Sequence, residues 1–296
     1  MKKLSFLFVV LAGLLWGTSG LFVRLLAPYG FTTLQLSAVR SGVSFLAVAL
    51  FALCFDRSLF RITGRELLLC IAIGGALFGT GNCYFLSLQL TSIPTAVVLM
   101  YTAPAMVMLF SVLFLGERLT PLKLLSLGLM LLGCVFVSGV LGDFKTNLFG
   151  LLIGLLSGVA FAAYNILTKV TMQKEMRPIS VTIYGFLFAS LLSLVFSNPV
   201  GIVTSAAKAP AVTLPLLLGI GLVSFVAPYV LYTVAMKTLP AGTASALGIV
   251  EPMAATLYGV IFLHEDLTPL SAVGILLILL AVVLFGVAEK PNHTKS

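Results

Sequence analysis

The chain has 296 residues, 60% of them hydrophobic and only 9% charged, with a mean hydropathy of +1.19 and a formal net charge of +8. A soluble domain carries about a quarter charged residues, so these numbers exclude one, and the hydrophobicity excludes a disordered chain. The basic residues are scattered between apolar runs instead of forming a patch, which excludes a nucleic-acid surface; the chain belongs in a bilayer.

About 20 apolar residues cross a hydrocarbon core of about 30 Å. On that measure the sequence predicts an all-α integral membrane protein of ten helices, at 4–26, 33–54, 66–88, 93–114, 121–141, 148–168, 179–197, 212–236, 241–263 and 267–288. The loops between them are too short to hold a soluble domain. Met1-Lys2-Lys3 before an apolar run looks like a signal peptide, but the run continues past Trp16 to Leu26 with no cleavage pattern, so helix 1 is read as retained. Cys54, Cys70, Cys83 and Cys134 all fall inside apolar segments without metal-like spacing and are read as small buried hydrophobes.

Lys and Arg in the short loops set the orientation. With the N-terminus inside, the inner side collects Lys2, Lys3, Arg57, Arg61, Arg65, Arg118, Lys123, Lys169, Lys174, Arg177, Lys237, Lys290 and Lys295, and the outer side only Arg24, Lys145 and Lys208. Both termini are therefore expected in the cytoplasm, with the protein in the cell membrane. The Asn292-His293-Thr294 triplet then lies on the wrong side for glycosylation.

A repeat follows. Thr95-Ala96, Leu99, Pro104, Leu109, Val112, Phe114-Leu115, Glu117 and Leu119-Thr120-Pro121-Leu122 recur 148 positions later as Thr243-Ala244, Leu247, Pro252, Leu257, Val260, Phe262-Leu263, Glu265 and Leu267-Thr268-Pro269-Leu270. Each half holds five helices, an odd number, so the halves enter from opposite faces: two inverted repeats, 1–142 and 143–289, and a tail, 290–296. Inverted repeats are the construction of many secondary transporters.

The doubled pattern Pro104…Leu115-Gly116-Glu117-Arg118-Leu119-Thr120-Pro121 and Glu251-Pro252…Leu263-His264-Glu265-Asp266-Leu267-Thr268-Pro269, with Leu15-Trp16-Gly17-Thr18 in helix 1, resembles the EamA domain of the drug/metabolite transporter superfamily. The resemblance covers nearly the whole chain. It implies helices 1–4 and 6–9 around a central cavity, helices 5 and 10 on the periphery, and export of amino acids or other small metabolites. His264 departs from the pattern, which has Gly before the second Glu.

Two charges lie inside spans. Glu251 is about 15 Å into helix 9, near the midplane, where a carboxylate must be protonated, paired or facing water. It is read either as a proton-coupling site or as a structural group serving the backbone freed by Pro252. Arg40 is about 10 Å into helix 2. It either holds a substrate carboxylate or snorkels outward or onto backbone carbonyls. Pro104 and Pro252, at equivalent repeat positions, are read as paired hinges, against the alternative of static kinks.

Trp16, Asn82, Tyr101 and Tyr164 complete the candidate substrate site with Arg40 and Glu251. Asn165 and Tyr229 are further polar groups, and Tyr84 and Tyr232 are read as interfacial anchors. Gly150, Gly154, Gly158 and Ala162 form a close-packing stripe on helix 6. Glu117, Glu265 and Asp266 sit at helix ends, where they are read as serving the next helix start.

The function expected is a secondary carrier, an exporter of small metabolites such as amino acids or amines, by alternating access with proton coupling through Glu251. An importer or exchanger of another solute class is the alternative. An intramembrane enzyme is disfavoured, since both histidines, His264 and His293, lie at or beyond the membrane edge and no HExxH or GxSxG motif occurs. No filter-like loop suggests a channel, and too few basic residues are present to clamp nucleotide sugars. No cofactor or metal is implied; the partners are a small-molecule substrate and the lipid bilayer, with a monomer or homodimer as the assembly.

Overall fold

The computed structural model describes residues 2–91, 93–117, 119–140 and 147–288. Arg118, Lys145, Lys290, Lys295, the Asn292-His293-Thr294 triplet, the boundary at 142/143 and the tail 290–296 lie outside the described residues. Those described are mostly helical, and ten helices are long and apolar enough to cross a membrane: Lys3–Tyr29, Thr33–Phe55, Gly64–Leu90, Thr95–Leu115, Pro121–Ser138, Leu148–Gln173, Pro178–Phe196, Pro210–Ala235, Ala241–Leu263 and Pro269–Ala288. They are numbered spans 1 to 10, and they are the ten the hydropathy marks.

Local signals set the ends. Thr32 with Gln35, and Thr63 with Glu66, close capping boxes at the starts of spans 2 and 3. Thr120 and Asn147 cap spans 5 and 6.

Hydrogen bonds between elements sort the span ends into two groups. At the end that carries the N-terminus, Ser5 meets Thr238 at 2.6 Å, Arg177 reaches Asp56 at 2.6 Å and Ser58 at 2.7 Å, and Tyr184 donates to the Phe60 carbonyl at 2.8 Å. At the far end Ser87 donates to the Gly150 carbonyl at 2.9 Å, Lys208 to that of Tyr29 at 2.8 Å and Gln35 to that of Asn198 at 3.4 Å. This sorting is consistent with ten alternating crossings and halves of opposite direction.

Spans 3, 4, 6 and 7 pack into one group and spans 1, 2, 8 and 9 into another, with spans 2 and 7 side by side where the groups join. Span 10 lies along span 5. The polarity is reversed relative to a soluble core: Leu46, Leu50, Phe55, Leu113, Phe114 and Leu276 face outward, while Ser44, Ser126, Ser157, Asn165 and Thr168 are fully buried. Lipid solvates the first set, and the serine hydroxyls return to carbonyls three or four residues back or cross to another helix. Ser126 does the former, to Leu122 at 2.7 Å; Ser44 does both, to Arg40 at 2.6 Å and across to Gly221 at 3.0 Å.

The glycine stripe packs as its spacing requires. A Cβ on Gly154 would stand 2.5 Å from Leu99 Cδ1 and 2.7 Å from Ser87 Oγ, and one on Gly158 3.0 Å from Thr102 Oγ1, so span 6 lies directly against spans 3 and 4. Span 1 does the same to span 9: a Cβ on Gly13 would be 3.0 Å from Val250 Cβ, and one on Gly17 2.7 Å from Ala254 Cβ. Gly13-Leu14-Leu15 and Gly17 match Gly154-Leu155-Leu156 and Gly158, a second trace of the repeat, at an offset of 141. Two sequence readings need correction here. Cys54 is exposed on the lipid side instead of buried, and Tyr232 is fully buried instead of anchoring at an interface.

Candidate functional site

Four spans are broken, and their breaks converge. Span 1 stops at Gly17 and resumes at Ser19, with the Thr18 hydroxyl donating to the Leu15 carbonyl at 2.6 Å. Span 4 is interrupted between Met100 and Ala103, span 9 between Leu247 and Val250. Pro104 and Pro252 each sit in the first turn of the resumed helix, where a missing N–H costs least. In span 9 the Gly248 carbonyl, which Pro252 leaves without its helical donor, accepts from Glu251 N–H at 3.0 Å. Span 8 carries a π-helical turn, Leu222–Val226, ahead of Pro228. Such turns recur at functional sites because they rotate side chains out of helical register.

Between the breaks lies a cavity of about 560 Å³, within the 300–1,000 Å³ range of small-molecule sites. Trp16, Arg40, Tyr84, Tyr101, Tyr229 and Glu251 line its deep part, and Arg24, Ser138, Leu263 and Glu265 its mouth. Every mouth residue is at the far end of its span, so the cavity opens opposite the N-terminus. Below it, rings of Trp16, Tyr164, Tyr229 and Tyr232 form a floor, with centroids 5.1 Å apart for Trp16–Tyr229, 5.2 Å for Trp16–Tyr232 and 5.5 Å for Tyr164–Tyr229. Tyr232 donates from its hydroxyl to Asn165 Oδ1, and Asn165 Nδ2 donates to the Phe161 carbonyl at 2.7 Å, so the Tyr232 end of the floor is paired.

The Arg40 guanidinium lies over the Phe225 ring at 4.8 Å and near that of Phe85 at 5.6 Å. Among the described residues it has no ion-pair partner, and its Nε is buried without a hydrogen bond. It neither snorkels to the surface nor serves backbone carbonyls. Trp16 Nε1 is likewise buried without a partner, and the Tyr101 hydroxyl, with no hydrogen bond of good geometry, interacts with the Glu251 carboxyl. A donor left unpaired in a low-dielectric site costs about 1–3 kcal/mol. Arg40 and Trp16 as unpaired donors around one cavity, with Tyr101 beside the Glu251 carboxyl on its wall, make a surface that a polar solute would complete.

Of the six residues chosen from sequence, Trp16, Arg40, Tyr101 and Glu251 come together and two do not. Asn82 points away and donates to the Phe78 carbonyl of its own helix at 2.8 Å. The cavity face of span 3 is Leu77, Gly81, Tyr84, Phe85 and Leu88, and Asn82 is one helical step, about 100°, off it. Tyr164 belongs to the floor. Tyr84 and Tyr229 line the cavity instead, Tyr84 in place of its expected anchoring role, and Phe85 and Phe225 were not marked at all. Pro228, a mid-span proline with no repeat partner, was the available signal for Phe225.

The rims differ. At the mouth Arg24 of span 1 pairs with Glu265 after span 9, both partly exposed. At the closed end Glu117 passes over the next helix and accepts from the N–H groups of Ala241 at 2.7 Å and Gly242 at 3.3 Å, which corrects its expected role; Thr120 caps span 5. His264 adopts the left-handed conformation, φ 55°, that Gly116 adopts at φ 66° in the other half, so the two turns are alike despite the substitution. Spans 7 and 10 contribute nothing to the lining, and span 5 only Val137 and Ser138, near its end.

The EamA-like transporter family model matches residues 3–139 and again 148–287. An uncharacterized transporter of Archaeoglobus fulgidus is 31% identical over 276 residues, 93% of this chain and 94% of its own. The threonine/homoserine exporter RhtA of Escherichia coli is 31% identical over 213 residues, 71% of this chain and 68% of its own. A protein of known crystal structure, 19% identical, superposes with a TM-score of 0.81 over 99% of this chain and 100% of that one, which shows a shared fold. Ten apolar spans around a cavity open to one face, matched twice by one family model, make this chain a multi-pass membrane transporter of the EamA-like family.

Proposed function

We propose that the protein is a secondary carrier that exports small metabolites carrying an amine, a carboxylate or both, by alternating access, with Glu251 as the group that exchanges a proton for the substrate. The observation that carries this reading is the pair of unpaired donors, Arg40 and Trp16, facing one cavity with Tyr101 and the Glu251 carboxyl. Arg40 suits a carboxylate and Glu251 an ammonium group, so an amino acid would satisfy both at once. The Lys and Arg distribution supports a cytoplasmic N-terminus, and in that orientation the cavity opens outward, as a carrier does after releasing an exported solute. The naming of RhtA as a threonine/homoserine exporter supports the same solute class.

The test is counterflow and pH-driven flux in proteoliposomes for wild type and Glu251→Gln, with labelled amino acids and amines. A solute that wild type concentrates with the proton gradient, and that Glu251→Gln exchanges but does not concentrate, is the expected result. If both proteins concentrate it equally, Glu251 does not couple and serves the backbone at the Pro252 break.

A further inference from the structure

The closed end of the cavity is held by two opposite charges on a single segment. Lys169, near the end of span 6, donates from Nζ to the carbonyls of Met236 at 2.9 Å and Leu239 at 2.6 Å. Glu117, just after span 4, takes the amides of Ala241 and Gly242. Residues 236–240 are the turn between spans 8 and 9, and Ala241 and Gly242 open span 9, so 236–242 is the clasped segment. The carbonyls ending one helix receive the cation and the amides starting the next receive the anion, so each charge meets the pole of the helix dipole that suits it. Spans 4 and 6 belong to one packed group and spans 8 and 9 to the other. All four bonds therefore cross the boundary between the groups, and all are made to backbone.

Among the described residues the far end shows no such clasp. Glu265, the repeat counterpart of Glu117, pairs with Arg24 inside its own group. The counterparts of Ala241 and Gly242 are Ile93 and Pro94, and a proline has no N–H to offer. By the offset that matches Gly13 and Gly17 to Gly154 and Gly158, Lys169 corresponds to Pro28, so the cation is missing as well.

We propose that Lys169 and Glu117 are the gate at the N-terminal end, that both must release the 236–242 segment for that end to open, and that Glu265 leaves Arg24 for the amide of Ile93 when the mouth closes. The closed-end clasp has two charged residues and four bonds, whereas among the described residues its counterpart offers one residue and fewer amides. The resting carrier is therefore biased toward the state described here. This inference rests on alternating access but not on the identity of the substrate.

The experiment is thiol labelling of the full-length carrier in proteoliposomes, with the four native cysteines replaced. Ser245→Cys, buried one turn behind the clasp, reports the N-terminal end, and Ser138→Cys reports the mouth. A membrane-impermeant maleimide is applied to each face in turn, with no solute present. The proposal expects slow labelling at 245 and fast labelling at 138 in the parent. Lys169→Met and Glu117→Gln should each speed labelling at 245 by about tenfold, the scale of one lost charge-assisted hydrogen bond. Lys169→Arg, which keeps the donors, should stay near the parent rate. If labelling at 245 is unchanged in both Lys169→Met and Glu117→Gln, the gate assignment is wrong. If Lys169→Met does not fold, Glu117→Gln decides by the same reading. These outcomes are independent of the flux assay, so a carrier with uncoupled Glu251 can still have this gate.

Discussion

Gly81 and Arg40 are fitted to each other: a Cβ on Gly81 would stand 2.7 Å from Arg40 Nη2. The missing side chain on span 3 is the space in which the guanidinium of span 2 reaches the cavity between Phe85 and Phe225. Gly81→Ala should displace that guanidinium without unfolding the protein. We expect the KM for solutes bearing a carboxylate to rise about tenfold or more, the scale of a misplaced charge-assisted hydrogen bond, while amines without a carboxylate are transported as before. Equal loss for both classes in the flux assay would show that Arg40 does not read the carboxylate.

The Tyr101 hydroxyl has no hydrogen bond of good geometry and interacts with the Glu251 carboxyl, so Tyr101→Phe should leave the melting temperature nearly unchanged. Substrate affinity should fall severalfold in binding measurements on the same preparation. A drop in melting temperature with intact affinity would make Tyr101 a packing residue.

Tyr232 behaves in the opposite way. Its hydroxyl serves Asn165, which is fully buried, so Tyr232→Phe leaves a carbonyl oxygen without its donor at a cost of about 1–3 kcal/mol. Thermal unfolding in detergent should register this as a fall of several degrees. An unchanged midpoint would mean that the floor repacks or takes in water.

His264 holds a backbone conformation, φ 55°, that costs a side-chain-bearing residue about 1–2 kcal/mol. His264→Gly should raise stability by about 1 kcal/mol and leave transport intact, because the side chain is exposed at the end of span 9. Chemical denaturation would detect the gain, and a loss would show that the imidazole makes a contact worth more than the strain.

Asp56, in the loop after span 2, is held below its ordinary value of 3.8, at about 2, by hydrogen bonds from Ser58 and then from Arg177. The lowered value means that the stability it adds is complete above 3.8 and is lost as pH falls through about 2. The link between spans 2 and 7 should accordingly persist at pH 4–5. A carboxyl carbon titration by NMR would check it, and a midpoint near 3.8 would show that the pair is not formed.

Much of the fold was written in composition and spacing: ten spans, the repeat, the prolines at the breaks and the two buried charges. Rotation about each helix axis was not. A span that is apolar all round carries no moment to tell cavity face from lipid face, which is why Asn82 was placed in the site and Tyr84 outside it. Glu117 fails for another reason. Its repeat with Glu265 was visible, but the amides it meets are more than 120 residues away, and only the packing of span 9 against span 4 brings them there. Arg40 and Glu251 were legible because a charge in hydrocarbon requires an explanation at any rotation.

The glycine contacts have a consequence for how the chain is made. Span 4 is cradled by span 6, and span 9 by span 1, so each half supplies the bed for the other half's broken helix. During synthesis span 4 leaves the ribosome before its bed exists, and the first helix inserted waits for the ninth before its glycines are covered. A chain halted after span 8 would therefore leave both ends of the molecule unfinished, whereas the two halves produced as separate polypeptides in one cell carry all the surfaces needed to find each other.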